Sequence, residues 1–395
     1  MKGIIFKYLF PVMVFSFSLQ ARAQETPGSV FRFRAGEAVP YSIVERSDWS
    51  RYDNGKYTGH VYREVRASIV PVEIGGSSLY RGNFFVFEET LRNRRQSAQA
   101  VDEIIPAAFQ IDGDGTTQIE DDRGFPSFRG FPAFPGGELE PGDTWTAPGS
   151  RALDPLNRGS FTVVPFAAAY EYKGTEWYKG QAVYRIAATY ASRYRGEFTL
   201  QGNHSIDILI RQSDGILLLM RDNLDETYAW PGGSTLRFRG FTLTFGQGII
   251  PMNQDDVAAS LEETIAGDDS KDEHIDIAAV PEGVRLRVRE IRFVPDTASF
   301  LPEERGRLDA LARALKKVPD RTILVEGHTA AMGLPEGEME LSVERARKMI
   351  EELVNRGIAA GRFIYKGWGG LKPLGDNSTE EGRRLNRRVE ITILE

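Results

Sequence analysis

The chain has 395 residues, 41% apolar and 27% charged, with no cysteine and a formal net charge of −7. That length and mix suit two packed domains. The missing cysteine excludes disulfides, thiolate metal sites, a cysteine nucleophile and an acylated N-terminal Cys, while the acidic balance argues against nucleic acid as a partner, since phosphates demand a basic face.

Residues 1–23 have the layout of a secretory signal peptide. Lys2 and Lys7 precede and interrupt an apolar run from Ile4 to Leu19, and Ala21-Arg22-Ala23 follows as an A-x-A cleavage site. Pro11 and the short apolar span argue against a membrane anchor. Cleavage after Ala23 removes three cations, Lys2, Lys7 and Arg22, and no acid, taking the charge from −7 to −10. No later stretch is apolar for the roughly 18 residues that a membrane helix needs.

Residues 24–252 read as a β-rich domain. Alternation runs through Ser160–Tyr172, Gln181–Thr199 and Leu236–Phe245. Ser213-Asp214-Gly215 separates two strand-like runs and reads as a hairpin turn, as does Asp112-Gly113-Asp114-Gly115. The latter lacks the glycine and terminal glutamate of a calcium loop. Gly-Phe-Pro occurs at 124–126 and again at 130–132, and the stretch 124–137 reads as an extended crossing between two sheets. A soluble sandwich or open barrel is expected. A membrane barrel would need an unbroken lipid-facing register, which the polar run at 92–99 and the Pro/Gly stretch interrupt.

Residues 253–280 carry many acids against the single Lys271 and read as a solvated linker. Val257, Leu261 and Ile265 at four-residue spacing suggest one short helix within it. From 281 to 395 the pattern is α/β, of βαβαββ type. A strand at Val284–Phe293 precedes a helix at Pro302–Lys317, whose first-turn acids and last-turn lysines suit the helix dipole. A strand at Ile323–Val325 leads through a loop to a second helix capped by Ser342 and ended by Gly357. Strands at Phe363–Lys366 and Val389–Leu394 follow.

Glu326-Gly327-His328-Thr329, Leu341-Ser342, Arg345-Ala346, Gly367-Trp368-Gly369, Asp376-Asn377 and Asn386-Arg387-Arg388 follow one another at the spacing of the OmpA-like, peptidoglycan-binding type of domain, and residues 281–395 resemble that family. The resemblance implies a mixed sheet backed by helices, with a groove between loops for the diamino acid of the cell-wall stem peptide. It places Arg345 on the ligand carboxylate, where an Arg fork bonds both oxygens, with Thr329 offering a hydroxyl and Arg388 adding positive potential. The family's ammonium-binding Asp is here Ala330, a loss that weakens binding by roughly 1.5–3 kcal/mol. Glu336, Glu338 and Glu340 are candidate compensating acids.

The expected function is therefore that of a non-catalytic periplasmic protein, associated with the outer membrane or cell wall, which contacts peptidoglycan. One alternative is an envelope interaction module that no longer binds peptidoglycan and uses its β domain to hold a protein partner. A second is an outer-membrane protein with an N-terminal barrel. No cofactor or metal is expected: His60, His204, His274 and His328 show no ligating spacing, and no G-x-S-x-G is present.

Overall fold

The computed structural model describes residues 29–30, 41–74, 77–88, 98–248, 252–266, 274–289, 291 and 300–395. The expected signal peptide at 1–23 and the polar residues 92–97 lie outside the described residues.

In chain order the strands of the first domain are β1 (Ser29–Val30), β2 (Tyr41–Asp53), β3 (Lys56–Ile74), β4 (Ser77–Glu88), β5 (Gln99–Ala100), β6 (Glu103–Ile111), β7 (Thr117–Ile119), β8 (Phe128–Arg129), β9 (Glu138–Leu139), β10 (Thr144–Leu153), β11 (Thr162–Tyr178), β12 (Gln181–Arg195), β13 (Thr199–Arg211), β14 (Leu217–Ala229) and β15 (Thr235–Gly248). Twelve of them make one antiparallel sheet in the order β7-β6-β4-β3-β2-β15-β14-β13-β12-β11-β10-β8. This is an open barrel of one sheet, and not a two-sheet sandwich.

Alternation determines which face turns inward. On β12, Ile186, Ala188, Tyr190 and Ser192 are buried while Arg185, Thr189 and Arg193 are exposed; on β14, Met220, Asp222, Leu224, Glu226 and Tyr228 are buried while Arg221 and Asn223 are exposed. On these two strands most inward positions are apolar and the guanidinium groups point outward. A lipid-facing wall has the reverse pattern, because an arginine at the bilayer midplane costs about 2–4 kcal/mol.

The Gly/Phe/Pro stretch closes the gap between the short edge strands β7 and β8. Gly130 N–H donates to Thr117 Oγ1 (3.1 Å) and Phe134 N–H to the Asp114 carbonyl (2.7 Å). Its two Phe-Pro peptides are both cis. Phe125 packs with Phe84 in one luminal cluster, and Phe131 with Phe166, Tyr170 and Tyr190 in another. The near-repeat thus puts one aromatic ring into each half of the interior, crossing within one sheet rather than between two. Both expected hairpins form: Asp112–Gly115 turns β6 into β7, and Ser213–Gly215 turns β13 into β14.

The second domain comprises α1 (Gln254–Ala266), β16 (Ile275–Val280), β17 (Gly283–Arg289), a 3-10 turn at Pro302–Glu304, α2 (Arg305–Lys316), β18 (Ile323–Gly327), α3 (Pro335–Asn355), β19 (Phe363–Gly367), α4 (Glu380–Asn386) and β20 (Arg388–Leu394). Its sheet runs β16-β17-β20-β18-β19-β5, with β18 and β19 parallel.

Three features differ from the sequence reading. The acidic stretch is more than a solvated linker: Leu261 and Ile265 of α1 are buried in the core with Leu308 and Leu311, leaving the carboxylates outward, and β16 pairs with β17. Helix α3 begins at Pro335, not Ser342, with Pro at its start and Glu336 and Glu338 in the first turn where the dipole favours them. Finally β5, a segment of the first domain, extends the second domain's sheet by pairing parallel to β19.

Candidate functional site

The loops at the ends of β18 and β19, and the segment entering β20, converge on the start of α3. Close approach requires glycine at both strand ends. A Cβ on Gly327 would lie 2.0 Å from the Ser342 carbonyl oxygen, and one on Gly367 would lie 2.4 Å from Ser342 Oγ. Ser342 is fully buried inside α3. Its hydroxyl donates to the Met339 carbonyl (2.7 Å) and accepts from Gly369 N–H (2.9 Å), tying helix to loop.

Backbone bonds then place the motif residues. His328 N–H donates to the Arg388 carbonyl (3.0 Å) and Thr329 N–H to the Gly369 carbonyl (2.9 Å). Asn386 Oδ1 accepts from Leu374 and Gly375 N–H (2.6 and 3.0 Å), while its amide donates to Asn377 Oδ1, which also accepts from Ala331 N–H (3.3 Å). From the sequence, Ser342 is expected as a helix cap, and Asn377 and Asn386 are motif positions with no assigned task. The structure shows them as the clamps of the site loops.

Thr329 and Ala330 are buried at the loop base, and Arg345 is half-buried on α3. Burial lowers the Arg345 pKa, and the like charge of Arg387 lowers it further. Neither ring nitrogen of His328, nor the Thr329 hydroxyl, has a hydrogen-bond partner among the described residues. Burial, helped by Arg388, holds the His328 pKa down at about 3, so its ring is neutral.

Arg388 does not stand open to the groove. It is 3% exposed, its Nε donates to Glu390 Oε1 (2.8 Å), and its terminal nitrogen donates to the Lys372 carbonyl (3.2 Å). Arg387 is the residue of this pair whose charge is felt at Arg345. Among the three glutamates, Glu338 Oε1 accepts from Met332 and Gly333 N–H (2.5 and 2.6 Å) and so holds the loop, whereas Glu336 and Glu340 are exposed on the first turns of α3. Beside them, Lys372 sits 3.5 Å over the Trp368 ring, whose Nε1 donates to Glu326 (2.7 Å).

A second polar constellation lies inside the barrel, where the alternation pattern gave no hint of charge. Arg151 donates twice to Glu226 (2.6 Å to each oxygen) and to the Tyr190 hydroxyl (3.1 Å). His204 Nδ1 meets Asp222 at 2.9 Å, and its Nε2 lies 3.1 Å from Ser192 Oγ and 3.0 Å from Glu226 Oε1. Ser192, His204 and Asp222 thus have triad-like order, but Glu226 changes the chemistry. Burial opposes the imidazolium, yet the hydrogen bonds to Asp222 and Glu226 outweigh it and raise the His204 pKa. A ring that donates both protons to carboxylates cannot take one from Ser192. These residues act as a charge network, not as a nucleophile.

The sequence profile described as "OmpA family" matches residues 292–387. Peptidoglycan-binding protein ArfA of Mycobacterium tuberculosis is 37% identical over 103 residues, 26% of this chain and 32% of its own length. Outer membrane porin F of Pseudomonas aeruginosa is 35% identical over 116 residues, 29% of this chain and 33% of its own. The chain thus spans about a third of the length of these curated relatives. Among solved structures, an outer membrane protein from Borrelia burgdorferi B31 is 34% identical, covering 31% of this chain and 97% of that one at a TM-score of 0.26. Residues 292–387 are a domain of the OmpA family.

Proposed function

We propose that the protein is a non-catalytic component of the cell envelope, exported to the periplasm and associated with the outer membrane or wall, whose C-terminal domain contacts peptidoglycan. Arg345 receives the carboxylate of the stem-peptide diamino acid, and Thr329 offers its hydroxyl. The observation that carries this reading is the Thr329 hydroxyl, buried and without a hydrogen-bond partner among the described residues, at the base of loops clamped by Ser342, Asn377 and Asn386. A buried polar group left unpaired costs about 1–3 kcal/mol, which a bound ligand recovers. Ala330 supplies no charge for the ammonium, so the contact is weaker than a two-charge clamp. The barrel is a water-soluble module, a reading supported by its charged outer wall.

Competition tests the assignment. Release of the purified chain from sacculi by a free stem peptide ending in the diamino acid is expected, and release by salt alone, with no effect of the peptide, would sink it. The rival reading, an interaction module without wall affinity, predicts no retention at all.

A further inference from the structure

The barrel lumen holds a cavity of about 280 Å³ beside the charge network. This is close to the lower end of small-molecule sites, which run from roughly 300 to 1,000 Å³. It is large enough for one ring or two and too small for a lipid chain or a peptide.

Its two walls differ. One is aromatic and apolar: Trp49 and Phe238 lie with ring centroids 5.3 Å apart and ring planes tilted by 47°, joined by Leu224 and Tyr228. The other carries guanidinium and carboxyl groups, among them Arg63, Arg151, Glu45 and Glu226. Most of these charges have an opposite charge nearby. Arg151 is forked onto Glu226, Asp222 holds His204, Arg51 bonds Asp53, and Glu45 lies in the fields of Arg63 and Arg151, while Asp154 accepts from the N–H groups of Arg158 and Gly159 (2.7 Å each).

A ligand with a net charge would have to compete with these buried pairs, whose disruption is costly. Hydrogen-bonding capacity nevertheless remains, because a carboxylate has about four acceptor sites and a guanidinium five N–H donors. Hydroxyl groups use both, donating to the carboxylates and accepting from the guanidiniums. The ring wall suits a flat apolar face on the same molecule.

From this geometry we propose that the lumen is a binding site for an uncharged, polyhydroxylated ring of monosaccharide size, its apolar face on Trp49 and Phe238 and its hydroxyl edge towards Arg63, Arg151, Glu45 and Glu226. The site is independent of whatever the C-terminal domain binds.

The test is a titration of the full mature chain by calorimetry and ligand-observed NMR. The probes are glucose, galactose, mannose and N-acetylglucosamine, each also as its methyl glycoside to separate a free sugar from a glycan end. Gluconate and glucosamine serve as charged controls. Saturable binding of at least one neutral probe is expected, tenfold or more tighter than that of either control. Leu156 lines the cavity and is 38% exposed, so Leu156→Trp blocks the space without disturbing the core and should weaken binding at least tenfold at unchanged Tm. Arg63→Met should do the same from the polar wall. Failure of every neutral probe to bind the folded chain overturns the proposal, as does preference for a charged control or binding that survives Leu156→Trp.

Discussion

Val101 donates its backbone N–H to the Tyr365 carbonyl at 2.8 Å, and with this bond the barrel becomes part of the second domain's sheet. Lys366 Nζ donates to the Asp102 carbonyl beside it (2.5 Å), and Ser68 Oγ donates to the Glu395 carbonyl (3.0 Å). Phe85, Phe87 and Val101 from one side bury against Leu324, Ile364 and Leu394 from the other. The site loops at the end of β19 therefore have a fixed orientation to the barrel rather than a tethered one.

Truncating that seam should uncouple the domains. Phe87 is fully buried, and Phe87→Ala is predicted to cost about 3–5 kcal/mol. Urea denaturation followed by tryptophan fluorescence and by far-UV circular dichroism should then give two separated transitions where the parent gives one. A variant that still unfolds in one unshifted step would show that the seam carries no coupling.

The Arg151–Glu226 fork is predicted to be costly to halve and cheap to remove whole. Glu226→Gln leaves a buried guanidinium without its countercharge and should destabilise by about 3–5 kcal/mol. Replacing both partners by apolar residues, Arg151→Met with Glu226→Leu, should recover most of that loss. A double-mutant cycle in urea measures the coupling; additive losses would contradict it.

Two buried histidines should act on stability with opposite sign. The folded His204 pKa is raised, so its contribution is complete below about pH 6.5, the unfolded value, and is lost as pH rises through the folded one. The folded His328 pKa is lowered to about 3. Its contribution is present above about pH 6.5 and is lost as pH falls towards that value. Ring ¹⁵N shifts followed by NMR should show His204 titrating at a higher pH than a free imidazole, while His328 is still neutral in mild acid. The reverse order would refute both assignments.

Much of the C-terminal domain was legible because its motif residues are tied to geometry. Gly327 and Gly367 are glycines because Ser342 packs where a Cβ would be, and Asn386 is asparagine because it must accept from Leu374 and Gly375 and donate to Asn377. The luminal and outer rows of β12 were readable as alternation. Long-range pairings were not. Nothing in Gln99-Ala100 marks it as a partner of Ile364 and Tyr365, and nothing near Arg388 reveals that Glu390 neutralises it. The spacing of Val257, Leu261 and Ile265 revealed α1 as a short helix, but the acids around it hid that this stripe is buried in the core. The luminal charges were hidden for a related reason: His204, Asp222 and Glu226 occupy inward positions that alternation assigns to apolar side chains.

The proposed contact with peptidoglycan runs through a clamp that lacks one of its two charges. Its most direct test is cosedimentation of the full mature chain with purified sacculi, comparing the parent with Ala330→Asp and Arg345→Ala at fixed salt. Measurable retention of the parent is expected. Ala330→Asp should bind on the order of tenfold to a hundredfold more tightly, equivalent to about 1.5–3 kcal/mol, and Arg345→Ala should lose retention. A parent that stays in the supernatant, with neither substitution altering its distribution, would contradict the claim.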